Sequence, residues 1–168
     1  MGRWRPPAEK SSPYITAEGY KRLNDELKYL WKTKRPEVTQ ALSEAAAEGD
    51  RSENAEYIYR KKELREIDRR VRYLSKRLDS IKVVEHLPAD QSRIYFGAWV
   101  SLIDEADQQR TYRIVGADEI DPKLGYISLD SPLAKLMLKR TVGDEVEFTS
   151  PDGEQRWYEI LAVDYHQS

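Results

Sequence analysis

Residues 57–81 read YIYRKKELREIDRRVRYLSKRLDSI, and the placing of apolar residues in that run decides the first half of the fold. Tyr57, Arg60, Leu64, Ile67, Val71, Leu74, Leu78 and Ile81 follow one another at alternating steps of three and four, and Arg60 is the one polar residue on the stripe. That period gives three heptads of a coiled-coil seam, and a seam needs a partner. Upstream, Tyr20, Leu23, Leu27 and Leu30 repeat the pattern, and Val38, Leu42 and Ala45 continue it less regularly. Thr16 supplies an N-cap, Gly49 suits the end of this helix, and Pro36 inside it predicts a kink or local break over residues 32–36. Two stretches of about 32 residues, each about 48 Å long at the helical rise, therefore fold back as an antiparallel hairpin. Its tip is EGDRSENAEY, residues 48–57.

Beyond Pro88 the period changes. RIYFGAWVSLI, QRTYRIVG, GYISL, DEVEF and QRWYEILAVDY are short, rich in β-branched and aromatic residues, and bounded by turn formers. Pro151-Asp152-Gly153 predicts a hairpin between the last two, and Ser131-Pro132 before LAKLMLK predicts a short helix with proline in its first turn. The fold class is α+β. A disordered extension is expected over residues 1–13, the helical hairpin over 14–84, a linker over 85–91, and an antiparallel-sheet domain over 92–168.

The 168 residues are 35 % charged and contain no cysteine, which excludes disulfides, zinc knuckles and thiol nucleophiles. His86 and His166 are too few for a histidine metal cluster. No apolar run approaches the roughly 20 residues of a membrane span, and the start lacks the apolar centre of a secretion signal, so a soluble cytoplasmic protein is expected, with no membrane partner. The net charge of −2 hides a division: residues 1–90 carry +4 and residues 91–168 carry −6. Such asymmetry points to two modules with different partners.

The tip holds four acids, Glu48, Asp50, Glu53 and Glu56, against Arg51 alone. One reading is local: Asp50 as N-cap with Glu53 three residues on resembles a capping box, and acids suit the positive end of a helix dipole. The other is chemical: two carboxylates at the end of a thin rod complete the coordination of a hard cation such as Mg²⁺, the remaining ligands coming from a partner. On the second helix, with Tyr57 as heptad position a, Lys62, Arg69 and Lys76 fall at f, and Arg65 and Arg72 at b. The acids Glu63, Glu66 and Asp68 fall off that ridge. A solvated face usually mixes signs, whereas a stripe of one sign suits phosphate contacts that position a nucleic acid without reading its bases.

These runs resemble the Gre transcript-cleavage factors of bacterial RNA polymerase, and more closely their GreB branch. The resemblance rests on GDRSENAEY, matching GDxxENAxY between two long helices, on ITAEGYKRLNDELKYLWKTKRPEVT, and on YISLDSPLAKLMLKRTVGDEVEF. It covers the chain from about residue 14 onward. What it implies is a non-enzymatic factor whose coiled coil enters the polymerase secondary channel and stimulates cleavage of the backtracked RNA 3′ end. Asp50 and Glu53 match the tip carboxylates that help hold a second Mg²⁺ in the polymerase active site, with Asn54 and Tyr57 in supporting places. The cofactor is then held mainly by the polymerase, and the isolated chain is expected to be a monomer that binds no metal tightly. The ridge Lys62, Arg65, Arg69, Arg72, Lys76 resembles the patch that contacts extruded RNA. The C-terminal part resembles the family's FKBP-like module, in which Asp130, Ser131 and Pro132 match a docking segment that is equally an ordinary helix start. Two alternatives remain: a Gre-like inhibitor of the same channel, a shape whose tip differs from the intact GDxxEN pattern here so that stimulation is favoured, and a free-standing RNA-binding or chaperone-like coiled coil whose acidic tip is only a cap.

Overall fold

The structure is a computed structural model that describes residues 10–49 and 53–166. It divides into two units: Glu18–Ile81, and the residues up to Ala17 together with those from Lys82 onward. Among the described residues no helix is long and apolar enough to cross a membrane.

The first unit is the expected hairpin. Helix α1 (Ala17–Tyr29) begins directly after Thr16 and runs through a π-helical turn, Leu30–Lys34, into α2 (Arg35–Ala47); α3 (Ala55–Ser80) returns. Leu23, Leu30, Val38 and Ala45 are buried on the outgoing arm, Ile67 and Leu74 on the returning one. The break expected at Pro36 is instead a continuous helix with one wide turn, and its cause is legible in the seam. Buried positions step by seven from Leu23 to Leu30 and from Val38 to Ala45, but by eight between Leu30 and Val38. One extra residue in a regular α-helix rotates everything after it by about 100°, which would swing Val38 and Ala45 off the seam. The π turn absorbs that residue: the Arg35 N–H donates to the Leu30 carbonyl, five residues back. Pro36 helps set the place, because it has no N–H for the Lys32 carbonyl and its ring crowds that oxygen.

Charged residues flank the seam. Arg70 makes a two-pronged pair with Glu26 at 3.0 and 2.9 Å, and Arg35 reaches Asp68 at 2.7 Å. Each is partly exposed and adds little stability, though both pin the register of the two arms. Arg60, the polar residue on the apolar stripe, is partly buried and turns its guanidinium to Glu56 at 2.9 Å and Glu63 at 3.3 Å.

The second unit holds strands β1 (Tyr14–Thr16) and β2 (Lys82–Val84), paired in parallel, and a five-stranded sheet. That sheet comprises β3 (Trp99–Asp104), β4 (Gln109–Val115), β5 (Tyr126–Ser128), β6 (Glu145–Thr149) and β7 (Gln155–Asp164), in the order β5-β4-β3-β7-β6. Helix α4 (Pro132–Met137) buries Ala134 and Met137 in the core with Ile94, Val100, Leu102, Ile114, Val146 and Ile160. The β6–β7 turn is the expected one: the Ser150 carbonyl accepts from Gly153 N at 2.9 Å, and Gly153 takes a φ of +89° that suits glycine.

Three features differ from the sequence reading. The sheet is not wholly antiparallel, because β4 and β5 pair in parallel through the crossover 116–125. The ends of the expected hairpin segment, 14–16 and 82–84, belong with the sheet unit. Of the extension expected to be disordered, residues 1–9 lie outside the described residues, while Ser12 N donates to Asp130 at 2.9 Å and the Pro13 carbonyl accepts from Lys82 N at 2.6 Å. Three-residue strands carry too little alternation to be read locally, and their partners are about 70 residues away.

Strand β1 is anchored by the buried carboxylate of Glu119, 4 % exposed, which accepts from Thr16 N at 3.1 Å, from Gly116 N at 2.8 Å and from the Thr16 hydroxyl. Gly116 is required there, since a Cβ would lie 2.1 Å from the Tyr14 carbonyl oxygen. Glu119→Ala is expected to leave these donors unsatisfied and to cost on the order of 3 kcal/mol in chemical unfolding. Glu119→Gln should cost less, because the amide keeps one accepting oxygen and the Thr16 hydroxyl can turn to accept.

Candidate functional site

The hairpin tip is built by the end of α2 and the start of α3. Helix α2 closes with the Glu48 N–H on the Ala45 carbonyl at 3.3 Å. Helix α3 is capped by Asn54, in extended backbone conformation, whose Oδ1 accepts from Tyr57 N at 3.1 Å. The same side chain donates through Nδ2 to the Ala45 carbonyl at 2.7 Å. One amide thus satisfies a donor at the start of α3 and an acceptor at the end of α2, and it locks the two arms together.

This corrects the local reading of the tip. The N-cap is Asn54, not Asp50, and Glu53 lies outside the helix rather than at its third position. The capping-box role is therefore not available to Glu53, which is exposed in the turn and has no ion-pair or hydrogen-bond partner among the described residues. Asp50 lies outside the described residues. Tyr57 is half-buried beside the cap, with the Lys61 ammonium 5.8 Å from its ring centre. Among the described residues no group of three or more His, Cys, Asp or Glu side chains stands where it could hold a metal ion. Glu53 offers oxygen, the donor type Mg²⁺ prefers, but only part of a coordination shell.

The resemblance gives Asn54 a supporting place at the tip, and in the structure its side chain caps α3 and bonds across to α2. Asn54→Ala removes both hydrogen bonds and is expected to destabilise the protein by about 2 kcal/mol. Asn54→Ser keeps a capping oxygen and loses only the bond to Ala45, so its denaturant midpoint should fall between those of wild type and the alanine variant.

The ridge on α3 separates the cations into two populations. Lys62, Arg65, Arg69, Arg72 and Lys76 are all exposed, and none forms an ion pair or hydrogen bond among the described residues. The arginines beside the ridge are paired: Arg60 with Glu56 and Glu63, and Arg70 with Glu26; on the first arm, Arg35 pairs with Asp68. Hydrogen bonding to Asp68 raises the Arg35 pKa, and hydrogen bonding to Glu56 raises that of Arg60. From Lys62 to Lys76 the unpaired stripe extends about 21 Å at the helical rise.

Asp130, Ser131 and Pro132 come together at the start of α4, where all three have structural work. The Ser131 hydroxyl caps the helix by accepting from Ala134 N at 3.3 Å, Pro132 fills the first turn, and the Asp130 carboxylate holds Ser12 through its amide and its hydroxyl. The ties of Asn54 to Ala45 and of Asp130 to Ser12 had no local sequence signal, since each joins residues from different elements.

Family comparison agrees with this architecture. Residues 13–83 match the model described as "Transcription elongation factor, N-terminal", and residues 89–165 match "Transcription elongation factor, GreA/GreB, C-term". Transcription elongation factor GreB of Pseudomonas aeruginosa is 55 % identical over 165 residues, covering 98 % of each chain. The factor of the same name from Xanthomonas axonopodis pv. citri is 56 % identical over 166 residues, again covering 98 % of each. That from Yersinia pestis is 54 % identical over 154 residues, covering 92 % of this chain and 90 % of its own. With both family models on consecutive segments and these identities over nearly the full length, the chain belongs to the GreA/GreB family of transcription elongation factors, on its GreB branch.

Proposed function

We infer that this chain is a transcription elongation factor that binds RNA polymerase and stimulates the polymerase's own cleavage of the transcript, without being the enzyme itself. The observation that carries the mechanism is the division of labour at the tip: Asn54 caps the helix and ties the arms, which leaves Glu53 exposed at the end of the hairpin with no partner among the described residues. In the mechanism we propose, the hairpin enters the polymerase secondary channel. Asp50 and Glu53 there add oxygen ligands to an Mg²⁺ site held mainly by the polymerase, and accept a hydrogen bond from the attacking water so that it faces the phosphodiester. With two Mg²⁺ ions in the polymerase active site, one would assist the nucleophile and the other the leaving oxygen. Asn54 keeps the start of α3 tied to the end of α2, Tyr57 stands beside that cap, and the basic ridge attracts the extruded RNA through its phosphates. Asp130, Ser131 and Pro132 contribute to docking of the sheet unit on the polymerase, with Ser131 and Pro132 also starting α4. The protein acts as a monomer in the cytoplasm.

The test compares backtracked elongation complexes with free RNA. The purified protein should cleave naked RNA in Mg²⁺ no faster than background, and should accelerate 3′-end cleavage when backtracked polymerase is present. Robust cleavage of naked RNA that survives repurification and is lost on tip substitution would place the active site in this chain and overturn the reading. Polymerase binding with inhibition in place of stimulation would favour the channel inhibitor.

A further inference from the structure

Next to the unpaired ridge, one heptad column over at position c, stand Tyr59, Glu66 and Tyr73. Tyr59 is 58 % exposed and Tyr73 44 %, and Ile58, 53 % exposed, heads the ridge column that continues as Arg65 and Arg72. A column facing water on a coiled coil ordinarily carries polar residues, because nothing offsets the exposure of a large ring. Each tyrosine also has a fixed guanidinium against it. Arg60 lies 5.5 Å from the Tyr59 ring centre and is held by Glu56 and Glu63; Arg70 lies 5.4 Å from that of Tyr73 and is held by Glu26. The rings are thus braced by cations that are themselves anchored, while roughly half of each stays open to solvent.

We propose that Tyr59 and Tyr73 are stacking platforms for the unpaired bases of a single-stranded RNA whose phosphates follow the ridge. The proposal rests on the ridge reading above and adds a second kind of contact to it. A duplex would offer the ridge its phosphates but keep its bases inside the stack, leaving exposed rings with nothing to meet. A single strand presents charge and flat apolar faces along one line, which is the combination of unpaired cations and open rings found on this side of α3. Every base has such a face, so the contact is independent of sequence, as a factor meeting arbitrary transcripts requires. The two rings lie 14 residues apart, about 21 Å along the helix, so a short extruded strand reaches Tyr59 and only a longer one reaches Tyr73 as well.

The experiment uses the full chain and polymerase complexes assembled on synthetic RNA, deeply backtracked, with the extruded segment either intact or carrying abasic riboses that keep the phosphates. The readout is the protein concentration giving half-maximal cleavage. Tyr59→Ala and Tyr73→Ala are each expected to raise it about fivefold or more on intact RNA, whereas Tyr59→Phe and Tyr73→Phe, which keep the ring, should stay near wild type. Abasic RNA should impose on wild type the loss shown by the double variant Tyr59→Ala/Tyr73→Ala, and should cost that double variant little more. Equal behaviour of wild type on intact and abasic RNA would overturn stacking. So would alanine losses of the same size on both RNAs, which would mean that the rings touch protein. Alanine at Lys62, Arg69 and Lys76 separates the two readings. If it weakens cleavage while abasic RNA has no effect, the ridge stands and stacking falls; if it has no effect, both fall.

Discussion

Asp50→Asn combined with Glu53→Gln is expected to lower stimulated cleavage about ten- to a hundredfold, the scale of losses when groups that hold or orient a metal's ligands are removed. Polymerase binding and thermal stability should change little. The second half of that expectation comes from the structure. Had Glu53 been part of a capping box, its loss would have cost about 1 kcal/mol of helix stability. The cap belongs to Asn54, and Glu53 makes no contact among the described residues that the substitution would break. Raising Mg²⁺ should partly restore the double variant, because its defect is weaker affinity for an ion and not a lost fold. Cleavage kinetics on stalled complexes, run beside a denaturant melt, check both halves. Undiminished cleavage by the double variant would sink the metal role.

Alanine at Lys62, Arg69 and Lys76 should weaken cleavage most on deeply backtracked complexes, where extruded RNA is long enough to lie along the ridge. Removing three phosphate contacts should also flatten the salt dependence of binding by about two in log–log slope, given roughly 0.7 per phosphate on a single strand. The fold should tolerate the change, since these side chains are exposed and carry no ion pair among the described residues. Equivalent substitution of Arg70, which is paired with Glu26, would confound lost RNA contact with a lost tie between the arms. Equal losses on short and long extruded RNA would point to docking and away from RNA guidance.

By itself the sequence determined the elements whose information is local and periodic. The seam from Tyr57 to Ile81 fixed α3, and the repeat from Tyr20 to Leu30 fixed its partner. The Pro151-Asp152-Gly153 turn and the Ser131-Pro132 helix start were legible because turn and cap chemistry acts over three or four residues. The single-sign ridge was visible as well, since heptad position decides which side chains face away from a seam. Only the tertiary structure decided that Asn54, and not the expected Asp50, caps α3. Asp50 and Asn54 are both good N-caps by residue type, and Asn54 also has a donor to give the Ala45 carbonyl across the turn, a contact that exists only once the arms are paired. The π turn follows the same logic: Pro36 announced a disturbance, but the kind of disturbance was set by the need to bring Val38 and Ala45 back to the seam. The parallel pairing of β1 with β2 and the buried Glu119 under Thr16 were likewise beyond local reading, because each joins segments about 70 to 100 residues apart in the chain.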